Sequence, residues 1–470
     1  MAFRIDINIR IILFFVLMLF QLNGIALKGE MRKGPYLIYP NSSTKMTVLW
    51  QLRNEAECKI DWGRDVSYSE GSANTKELFS GENGHIHKYT ISELVPNQKY
   101  YFRVKENETY HSGTFMSGDG VGDDTTRILV YGDTRTLLTN HNIIAKSITN
   151  FLEENPKWET MLLHCGDWNS DDEETTWDKE HFNPNYIFIK KLLSKIPIMG
   201  TRGNHEYDAT QFNKYYRYPY VEQGRSYYSF DYGYAHVSVV DQYTDYSVGS
   251  PQYNWLKNDV QSSTKRWKIL LFHEPAYSDL GKRPNNENAQ KYLQPFCEQY
   301  GIKLVFAGHN HFYAHCVVNG VNHFTFGGGG SELHPVSGTG EGLKKSISTY
   351  NYGRILLTKD KFRVIAVDAN GNILDNIGVT GSLSGNEEYI IPKIEIYPNP
   401  SSDILYYNLP ISISNHSITI FDNMGRVIVK TPNVNQTYGN IDVSQIASGN
   451  YIIEIDSKTN KFTQSISIIR

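Results

Sequence analysis

Cysteine is scarce in this chain: Cys58, Cys165, Cys297 and Cys316 are the four among 470 residues. Four cysteines permit disulfides but do not amount to a framework. Cys165, in an apolar run beside Asp167, reads as a buried thiol. Cys297 and Cys316, flanking one strand-like run, are the candidate pair. Long basic tracts are missing too, and the formal net charge is only −4. Nucleic acid or an anionic membrane as the main partner is therefore unsupported. After residue 26 no apolar stretch approaches the length of a membrane-spanning helix. Internal repeats and low-complexity tracts are absent. The glycine run at 327–330 has no following Lys-Ser/Thr, so it is not a phosphate loop and reads as a tight passage between strands. Tyrosine is plentiful, with 33 residues, which favours strands and half-wet surfaces and says little about chemistry.

With 470 residues, 40% of them hydrophobic and 20% charged, the chain can bury a sizeable core and divide into about three domains. Arg4 and Arg10 flank an apolar run at 11–20 that is too short to span a bilayer. Gly24-Ile25-Ala26 then supplies small residues, so 1–26 is expected to be a signal peptide cleaved after Ala26; an uncleaved anchor is the alternative. In 27–121, segments such as Lys45-Met46-Thr47-Val48-Leu49-Trp50 and Lys99-Tyr100-Tyr101-Phe102-Arg103-Val104 alternate between turns, which predicts a small β-sandwich. The polar run at 117–124 reads as a linker. From Arg127 strands alternate with helices. Ile128-Leu129-Val130-Tyr131 is the first buried strand, and Ile144, Ile148, Phe151 and Leu152 mark a helix face. Segments 226–231 and 235–241 alternate like a hairpin around Gly233. The region 122–385 is thus α/β. The region 386–470 is strand-rich again, with turns at Asn423-Met424-Gly425 and Ser448-Gly449-Asn450.

Five short motifs in the α/β region carry the chemistry. They are Gly132-Asp133, Gly166-Asp167, Gly203-Asn204-His205-Glu206, Phe272-His273-Glu274-Pro275 and Gly308-His309-Asn310-His311. Each follows a β-branched or aliphatic run, and each offers oxygen or imidazole donors rather than sulfur. Loops at the carboxyl ends of several strands assemble a two-metal site in this way. A lone Asp after a strand is usually a cap and a lone His usually a hydrogen-bonded core or surface group, as expected for His85, His87, His111, His236 and His416. Five motifs in series supply the convergent ligands a metal site needs. Asp167 suits a bridging carboxylate, Asp133 a neighbouring ligand, and His309 and His311 two adjacent metals served from one loop. Asn204 offers an amide oxygen and His273 an imidazole. His205 is placed to protonate a leaving group.

These residues resemble the calcineurin-like metallophosphoesterase superfamily over about 126–376. Ser226-Tyr227-Tyr228-Ser229-Phe230-Asp231-Tyr232-Gly233 and Gln252-Tyr253-Asn254-Trp255-Leu256 add to the agreement. The segment 94–104 is similar to the end of a fibronectin type III-like domain, so the likeness is to purple acid phosphatases and their bacterial cousins. Tyr397-Pro398-Asn399-Pro400-Ser401, Ile420-Phe421-Asp422-Asn423-Met424-Gly425 and the stretch from Ile441 to Tyr451 look like the C-terminal sorting domain of the bacterial type-nine secretion pathway. An ordinary binding sandwich is the alternative there. The resemblance implies two mixed β-sheets flanked by helices, a four-layer sandwich between two small all-β domains. It implies that Asp133, Asp167 and His311 hold metal one and that Asp167, Asn204, His273 and His309 hold metal two, the ions being Fe, Zn or Mn. It also implies His205 as the acid, and passage across the outer membrane through the secretion machinery to the surface or the medium.

Three departures stand out. The tyrosine that purple acid phosphatases carry three residues after the bridging aspartate is Ser170 here. The histidine that other superfamily members place two residues after the first aspartate is Arg135. The histidines that plant relatives carry soon after the His273-type motif are absent from 277–290. Arg135 cannot bind a cation, since its guanidinium keeps its protons. Either it grips a phosphate oxygen through paired hydrogen bonds, or it forms a salt bridge to Asp171 or Asp172 that shapes the loop. The expected function is an exported dinuclear phosphoesterase acting on a phosphate ester, foremost a phosphomonoesterase that uses a metal-activated water for in-line attack. A phosphodiesterase or nucleotidase is the alternative within enzymes. A surface binding protein on a degenerate phosphoesterase fold is the alternative outside them. The oligomeric state is open.

Overall fold

The computed structural model describes residues 30–79, 83–119, 124–218, 225–378, 395–408, 416–434, 438–457 and 461–469. The expected signal peptide lies outside these residues, as do 120–123 of the expected linker. Among the described residues no helix is long and apolar enough to cross a membrane. Two compact units divide at 379/380.

The first unit begins with two four-stranded antiparallel sheets. One runs in the order Met31–Ile38, Met46–Leu52, Ile86–Ile91, Glu77–Phe79; the other is Gly71–Thr75, Cys58–Gly63, Lys99–Glu106, Thr109–Met116. Alternation along Lys99–Glu106 puts Tyr100, Phe102 and Val104 inside, where they meet Val48, Trp50 and Ile60 in one cluster. That is a β-sandwich, as expected. The start of the linker is packed: Ser117 is buried and its hydroxyl donates to the Val95 carbonyl at 2.6 Å.

The α/β part holds two mixed sheets. In the six-stranded sheet Ile198–Gly200, Leu162–His164 and Thr126–Tyr131 run parallel, followed by antiparallel Asn351–Leu357, Phe362–Asp368 and Ile373–Gly378. In the seven-stranded sheet Ala235–Val239, Trp267–Leu271, Leu304–Ala307 and Val321–Phe326 are parallel. Tyr228–Tyr232 joins one edge as the expected hairpin partner, and Tyr313–Val318 and Leu343–Ile347 complete the other edge. The period-2 rule explains the layering. Ile269, Leu271, Leu304 and Phe306 face a cluster shared with Ile128, Val130 and Ile355 of the other sheet. Leu270, Phe272, Val305 and Ala307 face a second cluster with Leu256 and Val260 of the helix Pro251–Ser262 and Phe296 of the helix Gln294–Tyr300. On the six-stranded sheet, Ile144, Ile148 and Leu152 of the helix Leu138–Glu154 enter the shared cluster. Helix, sheet, sheet and helix follow in that order, which is the expected four-layer α/β sandwich.

All four cysteines are buried free thiols. Cys165 is thus as expected, whereas Cys297 and Cys316 do not pair: both sit as apolar residues in the second cluster. The second unit holds a three-stranded sheet, Glu395–Tyr397, Ile404–Asn408, Tyr438–Asp442, and a four-stranded one, Val427–Val434, His416–Asp422, Gly449–Ser457, Lys461–Ile468. Gly425 turns with φ +78°, but Gly449 opens a strand instead of turning.

Candidate metal centre

Parallel strands bring their carboxyl ends to one edge of a sheet, and in α/β folds that edge is where ligands bind. Here Asp133 follows Thr126–Tyr131, Asp167 follows Leu162–His164, Asn204 follows Ile198–Gly200, His273 follows Trp267–Leu271 and His309 follows Leu304–Ala307. Asp133, Asp167 and His309 have φ of 59°, 57° and 65°. Three non-glycine residues in the left-handed region at the loop tips store backbone strain of order 1–3 kcal/mol each. The motif glycines allow close approach: a Cβ on Gly203 would lie 2.1 Å from Asp167 Oδ1, and one on Gly308 would lie 2.4 Å from Asp133 Oδ2.

The loops are strapped together by backbone. The Asp133 amide donates to the Gly166 carbonyl at 2.9 Å and the Thr134 amide to the Asp167 carbonyl at 3.0 Å. The expected tight passage at 327–330 lies alongside, where the Gly329 amide donates to the Gly132 carbonyl at 2.9 Å. Glu206, fully buried, accepts from the amides of Gly203 (2.6 Å), Trp168 (2.8 Å), Asp167 (3.1 Å) and Asn169 (3.3 Å). It thereby ties the Asp167 loop to the Asn204 turn. Burial, then the Asp167 charge, pushes its pKa up to about 8, while the Gly203 amide, His273 and the Asn169 amide pull it down.

Side-chain donor atoms converge. Single ligand atoms of Asp133, Asp167 and His273 lie within 4.8 Å of one another. His273 Nε2 is 3.2 Å from Asp167 Oδ1 and 3.2 Å from Asn204 Oδ1. His309 Nδ1 is 3.0 Å from Asn204 Oδ1 and 3.2 Å from His273 Nε2. His311 Nε2 is 3.5 Å from Asp133 Oδ1, and it is buried with no hydrogen-bond partner. A carbonyl can only accept, so the outer bonds fix the tautomers. His273 Nδ1 donates to the Cys165 carbonyl at 2.7 Å, and His311 Nδ1 to the Glu332 carbonyl at 2.6 Å. Both rings turn Nε2 toward the carboxylates. An orphaned imidazole nitrogen beside two fully buried carboxylates is poorly solvated unless a cation joins them, so the donor set fits metal ions. For Asp167, burial opposes charge, but His273, His205, Arg135 and His309 outweigh it and hold its pKa at about 2.

His205 Nδ1 donates to the Ser170 carbonyl at 2.7 Å, leaving Nε2 at 3.9 Å from Asp167 Oδ2 on a side chain that is 24% exposed. Arg135 corrects both parts of the salt-bridge alternative. Its Nε donates to Asp167 Oδ2 at 3.1 Å, and neither Asp171 nor Asp172 is its partner. Asp172 is turned inward to accept from Trp177 Nε1 and the Gln211 and Phe212 amides, while the loop straps hold Arg135 over Asp167. Ser170 Oγ donates to Glu180 Oε1 at 2.5 Å. Four of the expected bystander histidines have ordinary partners: His85 with Glu77, His87 with Thr75, His111 with Glu106, and His236 with Asp231 and Asp259. Sequence reasoning missed Glu206 as a strap, His334, which stacks on His311 at 4.0 Å, and Arg283, whose Nη1 donates to His309 Nε2 at 2.9 Å. Glu206 was visible as part of its motif; nothing in the pattern marked the other two.

Residues 126–313 match the calcineurin-like phosphoesterase model. The match falls within the α/β domain and spans all five motifs. In front of it, residues 33–117 match the N-terminal domain of purple acid phosphatases. Behind it, residues 395–469 match the secretion system C-terminal sorting domain, which indicates export to the cell surface or the medium. A purple acid phosphatase of Glycine max is 28% identical over 280 residues, 54% of this chain and 59% of the relative. The Fe(3+)-Zn(2+) purple acid phosphatase 12 of Arabidopsis thaliana is 25% identical over 311 residues, 60% of this chain and 64% of the relative. The chain thus spans about three-fifths of the length of these curated relatives. Among solved structures, the phosphoesterase fold is shared with a purple acid phosphatase from yellow lupin seeds (TM-score 0.63, 18% identity, 73% of each chain). It is also shared with PhoD (TM-score 0.54, 14% identity, 74% of this chain and 92% of that one).

Proposed function

We propose that this chain is an exported phosphomonoesterase with a two-metal centre, in which 122–385 form the catalytic domain between 27–121 and 386–470. Asp133, Asp167 and His311 would hold one ion, and Asp167, Asn204, His273 and His309 the other, with iron, zinc or manganese as the candidates. The observation that carries this reading is the buried, unpartnered Nε2 of His311 beside the Asp133–Asp167–His273 cluster. Bound there, the ions would polarise the phosphoryl oxygens and supply an acidic water as nucleophile.

The chain's own residues do the rest. His205, with Nδ1 tied to the Ser170 carbonyl, presents Nε2 to carry a proton to the leaving alcohol. Arg135 donates to anionic oxygens and can share its fork between Asp167 and a phosphoryl oxygen. Glu206 holds the Asp167 and Asn204 loops at fixed spacing. The sorting domain supports delivery through an outer-membrane secretion machinery.

Asp167→Asn tests the reading. A neutral amide cannot offset two cations, so the variant should lose metal occupancy and phosphate release across a panel of mono- and diesters supplied with Mn, Zn and Fe. Two retained metals with activity within a few fold of wild type would end the two-metal assignment. A wild-type preference for diesters would shift the substrate class.

A further inference from the structure

Arg283 is half-buried on the loop after His273, and among the described residues no acid pairs with it. By contrast, Arg32, Arg103 and Arg202 each meet an aspartate at 2.6–2.9 Å. Among the described residues its hydrogen bond goes to an imidazole, His309 Nε2 at 2.9 Å. A guanidinium only donates. His309 Nε2 therefore accepts, and the ring proton sits on Nδ1, the nitrogen that faces Asn204 Oδ1 and His273 Nε2.

That arrangement cannot persist in a loaded centre. On the reading above His309 would hold a cation, and Nδ1, which faces Asn204 Oδ1 and His273 Nε2, is the nitrogen placed for it. The ring's proton then belongs on Nε2, as the outer nitrogen of a metal-bound histidine is normally a donor. Two donors would face each other, so the Arg283 bond breaks. A half-buried guanidinium is then left beside the centre with its donors free to grip an anion.

We infer that Arg283 is a substrate-binding residue that leaves His309 when the centre is loaded and takes an oxygen of the phosphoryl group, from a different loop than Arg135. This rests on the two-metal phosphoesterase reading and deepens it. Arg135 brings positive charge to the same place, its Nε meeting Asp167 Oδ2 at 3.1 Å. Two guanidinium groups around one site suit a dianionic phosphomonoester better than a singly charged diester.

The test is calorimetric titration of inorganic phosphate into zinc-loaded wild type, Arg283→Ala and Arg283→Lys, with steady-state hydrolysis of an aryl phosphate in parallel. Both variants should keep the wild-type zinc content. Phosphate affinity should fall on the order of 10- to 100-fold in the alanine variant, the scale of a lost charge-assisted bond. KM should rise more than kcat falls, and lysine should restore part of the loss. Zinc titration in phosphate-free buffer should show affinity in Arg283→Ala equal to or above wild type, because no guanidinium must be displaced. Unchanged phosphate affinity at full zinc content overturns the inference. Weaker zinc binding in Arg283→Ala overturns it as well, since Arg283 would then be a support for His309. If wild type itself takes up no zinc, manganese or iron and cleaves no ester, the phosphoesterase reading fails first.

Discussion

Removing Arg135 should push metal affinity and turnover in opposite directions. Its Nε donates to Asp167 Oδ2 at 3.1 Å, and the two side chains are 13% and 1% exposed, so solvent screens the pair little. Asp167 is also the carboxylate that two cations would share. Guanidinium and metal therefore compete for one group, and loading the centre weakens a charge-assisted bond worth about 1.5–3 kcal/mol. Arg135→Ala should release that competition and tighten metal binding by on the order of 10- to 100-fold. The same change removes a donor aimed at developing phosphoryl charge, and kcat/KM should drop on the order of 100-fold at saturating metal. Inhibition by free phosphate should weaken with it. Metal affinity is read by competition with a chromogenic chelator, turnover by phosphate release, and the fold by circular dichroism. Unchanged kcat/KM and unchanged phosphate inhibition at full metal occupancy would make Arg135 a loop-shaping residue and refute the clamp. Weaker metal binding would refute the competition.

Colour is a second check: Ser170 replaces the tyrosine ligand and its hydroxyl is committed to Glu180, so iron-loaded protein should show no intense visible charge-transfer band. A purple band would point to another tyrosine on the iron. The pH dependence of stability gives a third. Burial lowers the proton affinity of His236, but hydrogen bonds to Asp231 and Asp259 outweigh it and raise its pKa to about 9. A folded pKa above the ordinary 6.5 means that this contribution is complete below about pH 6.5 and is lost as pH rises through 9. The Tm of wild type should therefore fall more steeply between pH 7 and 10 than that of His236→Gln, and parallel curves would contradict the assignment. Export is the fourth: deleting 392–470 should leave folded, active phosphoesterase in the periplasm, whereas lost catalysis with unchanged export would make that unit part of the enzyme.

The order of strands and the motifs at their ends were legible in the sequence because both are local. A run such as Ile269-Leu270-Leu271-Phe272 declares a strand buried on both faces, and the histidine after it must stand at the strand's carboxyl end. The tandem His309-Asn310-His311 and the paired aspartates carried the donor chemistry in their identities alone. The hairpin around Gly233 and the β-sandwich before residue 118 followed from period-2 alternation. Cysteine pairing, the partner of Arg135 and the place of Arg283 were decided only in three dimensions. Cys297 and Cys316 flank one strand yet are packed as apolar groups in the second cluster. Arg135 lies 32 residues from Asp167 and Arg283 lies 26 from His309, and no local rule links such separations. Which charge meets which is settled by how the two sheets stack and how the loop straps close, because electrostatic pairing depends on distance in space and on exclusion of water, neither of which is written in the order of residues.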